Sequence, residues 1–151
     1  MGNLQVESSV NPYYLWALAD KYSEFGLDSK RAENLVALKL LTDRNIHLSF
    51  HSDFSMAPVE PLTLAWTAVN RETSEGNKYS QDQRITVFDA MKAITIDAAR
   101  TLNLENEIGT LTPRKRANFT ILNDNPFKVE PIRIKDITVD GVVYNGKYVS
   151  N

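Results

Sequence analysis

The chain of 151 residues contains no cysteine. It therefore has no disulfide framework, no thiolate metal site and no cysteine nucleophile, and this usage is that of a reducing compartment, with the cytoplasm as the expected location. Excess positive charge is also lacking. Seventeen Lys and Arg stand against nineteen Asp and Glu, a formal net charge of −2, so no cationic surplus exists to neutralise a phosphate backbone, and nucleic acid is not an expected partner. No apolar run approaches the roughly 20 residues needed to cross a bilayer, and Met1-Gly2-Asn3-Leu4-Gln5 lacks the basic-then-apolar order of a secretory signal. No membrane association is expected. Histidine is scarce, with only His47 and His51. The six glycines and six prolines are scattered, and no repeat or low-complexity tract interrupts the chain. What remains, 42% apolar and 24% charged residues, suits one globular unit with a contiguous core.

Periodicity supplies the organisation. Leu4, Val6 and Ser8 alternate with Gln5, Glu7 and Ser9, a short strand that Asn11-Pro12 closes near Val10. From Tyr13 to Phe25, apolar residues at steps of three and four predict an amphipathic helix stopped by Gly26. Tyr13, Tyr14 and Trp16 are expected to pack there. Ser29 reads as an N-cap for one further helix carrying Ala32, Leu35, Val36 and Leu40 up to Asp43-Arg44-Asn45. Ile46 to Phe50 alternates as a second strand, and the helical crossover between the two strands predicts that they run parallel. A helix is expected over about 62–72. Thr86 with Asp89 forms a capping box ahead of another, and Thr95 to Leu102 opens a third. Beyond Gly109 the chain turns β-rich: Ala117 to Leu122, Ile132 to Val139 and Val142 to Val149 read as strands, the last two joined by a tight turn at Asp140-Gly141. Arg114-Lys115-Arg116 reads as a solvated basic turn.

The residues best suited to chemistry are His51-Ser52-Asp53, at the C-terminal end of the second strand, where parallel α/β folds bind ligands. Strand alternation puts His47, Ser49, His51 and Asp53 on one face and Ile46, Leu48, Phe50 and Ser52 on the other. At about 3.3 Å per residue His47 lies about 20 Å from Asp53, too far to share an ion, whereas His51 lies about 7 Å away. A carboxylate in that place can ligate a divalent ion or take a proton from water. The imidazole beside it can ligate, orient substrate or donate a hydrogen bond. The same residues also serve structural ends, a strand-end aspartate as turn former or helix cap and a strand histidine as a satisfied packing residue.

Several motifs in order carry a family resemblance: Ser9-Val10-Asn11-Pro12, Phe50-His51-Ser52-Asp53, Ala57-Pro58-Val59-Glu60-Pro61, Trp66-Thr67-Ala68-Val69-Asn70-Arg71-Glu72-Thr73, Gln83-Arg84-Ile85-Thr86, Ala93-Ile94-Thr95-Ile96-Asp97-Ala98-Ala99, Glu107-Ile108-Gly109-Thr110, Asn125-Pro126-Phe127 and Val139-Asp140-Gly141-Val142. Over almost its whole length the chain resembles the C-terminal third of amidohydrolase-superfamily metal-dependent hydrolases, in the group of exoenzyme-like and N-substituted formamide deformylase-like proteins. The resemblance implies an α/β fold: the C-terminal part of a (β/α)8 TIM barrel, with its last two strands and following helices over 1–106, and strands of a small β-sandwich over 107–151. It implies hydrolysis of non-peptide, amide-type C–N bonds in a small-molecule substrate. Asp53 matches the aspartate ending the eighth barrel strand, a metal ligand and general base, and His51 matches a companion facing the substrate pocket. The implied cofactor is a divalent metal, zinc, in the complete enzyme. The family's remaining ligands, His-x-His on the first strand, a bridging lysine or acid, and histidines on the fifth and sixth strands, have no counterpart here. Two positions depart from the pattern: Pro-Gly-Lys is Pro113-Arg114-Lys115, and the usual histidine after the early proline is Tyr14.

Three readings follow. The chain is part of a hydrolase that is active only when further barrel strands are supplied, or a non-catalytic module that self-associates, or a small α/β binding domain. Open strand edges favour a homo-oligomer or pairing with the N-terminal barrel part.

Overall fold

The computed structural model describes residues 6–26 and 28–150. Two short strands, β1 (Ser8–Val10) and β2 (Leu48–Phe50), pair in parallel with Ser8, Ser9 and Val10 opposite Leu48, Ser49 and Phe50. This is the geometry predicted from the helical crossover. Leu4 and Gln5, expected to begin the first strand, lie outside the described residues, and pairing starts at Ser8. Helix α1 (Tyr13–Lys21) follows directly and ends in a π-helical turn over Tyr22–Gly26. Its aromatic start divides as an amphipathic surface should: Tyr13 is buried and meets Trp16 edge to face at 5.8 Å, while Tyr14 is exposed.

The single helix expected after Ser29 is instead two, α2 (Ser29–Glu33) and α3 (Leu38–Thr42). The N-cap is Asp28, whose carboxylate accepts the Arg31 backbone N–H at 3.0 Å. The break falls at Val36, with φ of +54°, an unfavourable conformation for a β-branched residue. A distant side chain holds the break. Arg71, only 1% exposed, sends Nη1 to the Val36 carbonyl at 2.5 Å and Nη2 to the carbonyls of Leu35 and Glu33 at 2.8 and 3.0 Å. Its Nε donates to the Tyr79 carbonyl at 2.9 Å. Burial pulls this guanidinium down to about 10, against the opposing pull of Asp82, so it stays charged at neutral pH.

Helix α4 (Pro61–Asn70) is nearly all apolar and buries Leu64, Ala65, Trp66, Ala68 and Val69. Pro61 begins it where a missing N–H is harmless, and Arg71 closes it in the left-handed region. Helices α5 (Val87–Ala93) and α6 (Ile96–Thr101) follow. Half of the predicted capping box is present: the Asp89 N–H donates to Thr86 Oγ1 at 3.1 Å, but the Asp89 carboxylate accepts that hydroxyl, at 2.6 Å, rather than the Thr86 backbone N–H. The core lies where α1, α3, α4 and α5 close on β2, around Tyr13, Leu38, Phe50, Leu64 and Ala90. Among the described residues no helix is long and apolar enough to cross a membrane.

The β-rich tail forms an antiparallel sheet of β3 (Phe119–Leu122), β4 (Val139–Tyr144) and β5 (Lys147–Ser150). The turn is not at Asp140-Gly141, which lies inside β4, but at Asn145-Gly146 between Tyr144 and Lys147. Asn145 and Gly146 have φ of +48° and +75°, the consecutive left-handed pair that a two-residue hairpin requires. Gly141 serves a close approach instead, because a Cβ there would stand 2.5 Å from the Tyr148 hydroxyl. Ile132 to Val139 is also not one strand: Pro131–Asp136 is a 3-10 helix. Helix α4 captures its carbonyls, Trp66 Nε1 donating to Ile132 at 2.7 Å and Asn70 Nδ2 to Pro131 at 2.9 Å, while Ile134 is fully buried and Lys135 sits 3.8 Å over the Trp66 ring. The basic turn is not merely solvated either. Lys115 Nζ donates to the carbonyls of Glu105 and Ile108, and Arg116 pairs with Glu107.

Arg71→Met leaves the carbonyls at positions 33, 35, 36 and 79 without this donor. A buried carbonyl left without its donor costs about 1–3 kcal/mol, and with four of them affected the expected result in urea unfolding followed by circular dichroism is a lower midpoint. Arg71→Lys is expected to fall between the two, since one ammonium cannot reproduce the planar fork.

Candidate active site

Strands β1 and β2 end side by side, and short polar ties hold those ends together. The His51 N–H continues the ladder to the Val10 carbonyl at 3.0 Å. Asn11, buried, donates from Nδ2 to the Ser52 carbonyl at 3.2 Å and accepts the Tyr13 N–H on Oδ1 at 3.0 Å. One side chain therefore satisfies a carbonyl after β2 and an N–H at the start of α1. Its role was not assigned from the sequence, where the only signal was an asparagine before proline at a strand end.

Asp53 stands beyond that tie with φ of +54°, a conformation aspartate tolerates better than most residues. Its carbonyl accepts the Met56 N–H at 2.6 Å. Because β2 ends at Phe50 and the chain turns at Asp53, strand alternation does not fix which way residues 51–53 face, and the extended spacing of two residues does not apply to them. Both His51 and Asp53 are exposed, and neither side chain makes a hydrogen bond or ion pair with another described residue. The loop after them carries exposed Phe54, Met56 and Val59 and is anchored by buried Ala57. Nearby on the chain entering α1, the buried Tyr13 hydroxyl has no hydrogen-bond partner among the described residues. Burial, reinforced by the negative charge of Glu60, holds it above its ordinary range, so it is a neutral donor at physiological pH.

Ser49 of β2 and His47 just before it do not join this site. Ser49 is buried and accepts from the Thr101 hydroxyl of α6 at 3.0 Å. His47, at the opposite end of the strand, contacts Arg100.

Residues 1–150 match the model of the amidohydrolase family, and the chain belongs to that family. It is 24% identical over 148 residues to N-substituted formamide deformylase of Arthrobacter pascens, covering 95% of this chain and 27% of that protein. It is 35% identical over 126 residues to Protein LONG AFTER FAR-RED 3 of Arabidopsis thaliana, covering 82% of this chain and 21% of that one. The fold superimposes on a metal-dependent hydrolase from Pyrococcus horikoshii with a TM-score of 0.70 and 26% identity, over 86% of this chain and 26% of that structure. The chain thus spans about a quarter of the length of the relatives it matches.

A family metal finds suitable but insufficient donors here. Asp53 and His51 are hard and borderline ligands with no competing partner, yet no group of three or more His, Cys, Asp or Glu able to hold an ion exists among the described residues, and a catalytic zinc site takes three protein ligands plus water. The 151-residue chain is therefore expected to retain no stoichiometric zinc after desalting and to show only weak divalent binding by titration calorimetry. Tightly held equimolar zinc would contradict this ligand count.

Proposed function

We propose that the chain supplies the last two strands of a (β/α)8 barrel over 1–106 and strands of a small β-sandwich over 107–151, within a cytoplasmic metal-dependent hydrolase of non-peptide C–N bonds in small molecules. The observation that carries this reading is the free Asp53 carboxylate just past the joined ends of two parallel strands, the end at which barrel enzymes gather their catalytic groups. Asp53 is the metal ligand and general base, and His51 faces the substrate. A bound divalent ion, zinc in this reading, supplies Lewis acidity and lowers the pKa of its water. The chain's own residues do the rest: Asn11 fixes the position of the backbone entering Asp53, and the Asp53 carboxylate accepts a proton from water. Catalysis requires further barrel strands with their own ligands.

Asp53→Asn keeps the size of the side chain and breaks no described hydrogen bond, so the fold is expected to survive. In the complete enzyme kcat should fall by about 100-fold or more, with KM changed little, because the amide cannot accept the proton. Near-normal kcat would make Asp53 structural.

A second feature favours self-association of the chain when it stands alone. Among the described residues β1 and β2 each pair on one side only, and Phe119, Tyr144, Tyr148 and Val149 of the tail sheet are exposed. An interface of about 1,600 Å2 is ordinary for a stable dimer, and burying apolar surface at about 25 cal/mol per Å2 is worth more than the few kcal/mol that separate folded from unfolded. Sedimentation velocity at micromolar concentration is expected to give a dimer or larger species. A cooperatively folded monomer would instead favour the small-domain reading.

A further inference from the structure

Asn145 is the one asparagine in the sequence that glycine follows. That order favours loss of the side-chain amide, because glycine puts no side chain in the way of its own nitrogen. Asn145 and Gly146 form the exposed tip of the β4–β5 hairpin, and a Cβ on Gly146 would meet nothing within 4 Å. Sterics leave the tip open to reaction. Hydrogen bonding closes it. The Gly146 N–H donates to the Ala117 carbonyl at 3.0 Å, and the Asn145 N–H donates to Asn118 Oδ1 at 2.8 Å. Both acceptors lie just before β3, so the chain entering that strand clasps the tip from outside the hairpin.

Loss of the amide needs the Gly146 nitrogen without its proton. That nitrogen attacks Asn145 Cγ; the new N–C bond forms, the Cγ–Nδ2 bond breaks, and ammonia leaves with the proton, giving a five-membered succinimide. Water then opens the ring. Opening at Cγ gives aspartate, and opening at the Asn145 main-chain carbonyl gives isoaspartate, with one more carbon in the backbone. An N–H held by a carbonyl is harder to ionise, and the left-handed φ of both residues, +48° and +75°, keeps that N–H on the Ala117 carbonyl.

We propose that Asn145 is a spontaneous modification site gated by this clasp: the succinimide forms when the tip has left Ala117 and Asn118, and the aspartate and isoaspartate that accumulate record opening of the tail hairpin. Such opening is local. The tail is docked on α4 through the 131–136 segment and not through the tip, and among the described residues β5 pairs with β4 alone, so β5 can leave without unfolding the core. The other reactive pair, Asp140-Gly141, lies in the body of β4, where Gly141 stands opposite both Ile121 and Ser150, and its rearrangement releases no ammonia. Isoaspartate at the tip lengthens the main chain of a two-residue turn, so a hairpin that has reacted does not close in its former geometry.

The test is incubation of the 151-residue chain at pH 8, folded in buffer and unfolded in guanidinium chloride, followed by trypsin and mass spectrometry. The tryptic peptide 136–147 holds Asn145 as its only side-chain amide, so a gain of one mass unit reports this site alone. The unfolded parent is expected to lose the amide at least about 10-fold faster than the folded parent, with isoaspartate in excess of aspartate. Folded Asn118→Ala, which lacks the acceptor for the tip, is expected to approach the unfolded rate. Asn118→Asp keeps an acceptor oxygen and is expected to stay near the rate of the folded parent, and in denaturant all three chains react alike. Hydrogen exchange of the Gly146 amide, followed by NMR, is expected to be slow in the folded parent and in Asn118→Asp and fast in Asn118→Ala. Equal rates in the folded and unfolded parent, Asn118→Ala as slow as the folded parent, equal acceleration by both substitutions, fast Gly146 exchange in the folded parent, or aspartate without isoaspartate would each overturn the proposal.

Discussion

The buried guanidinium of Arg71 ties together three segments, the chain between α2 and α3, the end of α4 and the loop at Tyr79. Taking a charge out of water costs several kcal/mol, and only dense hydrogen bonding offsets it. Among the described residues Arg71 reaches no carboxylate, and backbone carbonyls at Glu33, Leu35, Val36 and Tyr79 take that part. Those carbonyls are free because the chain between α2 and α3 is not helical, and that interruption is stable because Arg71 occupies it. Cause and consequence are mutual, which makes the cluster cooperative. It also sets the position of α4, since Arg71 is the left-handed residue that ends this helix.

Helix α4 in turn organises both halves of the molecule. Its apolar length packs on the core below β2, while Trp66 and Asn70 on another side take the carbonyls of the 3-10 segment 131–136. The β-rich tail is therefore docked through side-chain donors rather than through a shared sheet. The two ends of β2 are then held differently. At one end Asn11 ties the backbone, and the side chains of His51 and Asp53 around it stay exposed. At the other, Asp97 gathers Lys92, Arg100 and His47 around a buried charge. The carboxylate just past one end of β2 is exposed, whereas the one that α6 brings to the other end is buried among cations and committed to the fold.

Local signals in the sequence were faithful where the competing forces were also local. Thr86 and Asp89 cap α5 as their spacing predicts, because both partners lie within one turn. The parallel pairing of β1 and β2 followed from the length of the crossover. The tail hairpin was misplaced because Asp140-Gly141 and Asn145-Gly146 carry the same kind of turn signal, and only the packing of Tyr148 over Gly141 decides between them. At the candidate site His51 and Asp53 were singled out by position and resemblance, whereas the tie made by Asn11 was not legible, since its two hydrogen bonds join residues 41 apart in sequence and two apart in turn.

The sequence by itself determined the residue types available for chemistry, the absence of any thiol, the parallel pair of strands and the capped helix α5. It also determined membership of a hydrolase family through many short motifs in one order. Tertiary structure alone decided where a helix breaks at Val36, why Ile132 to Asp136 coils instead of extending, and which of two histidines is tied by a guanidinium. The physical reason is the same in each case. A carbonyl or a ring nitrogen takes whichever donor the fold brings near, and donors such as Arg71, Trp66 and Arg100 come from far along the chain.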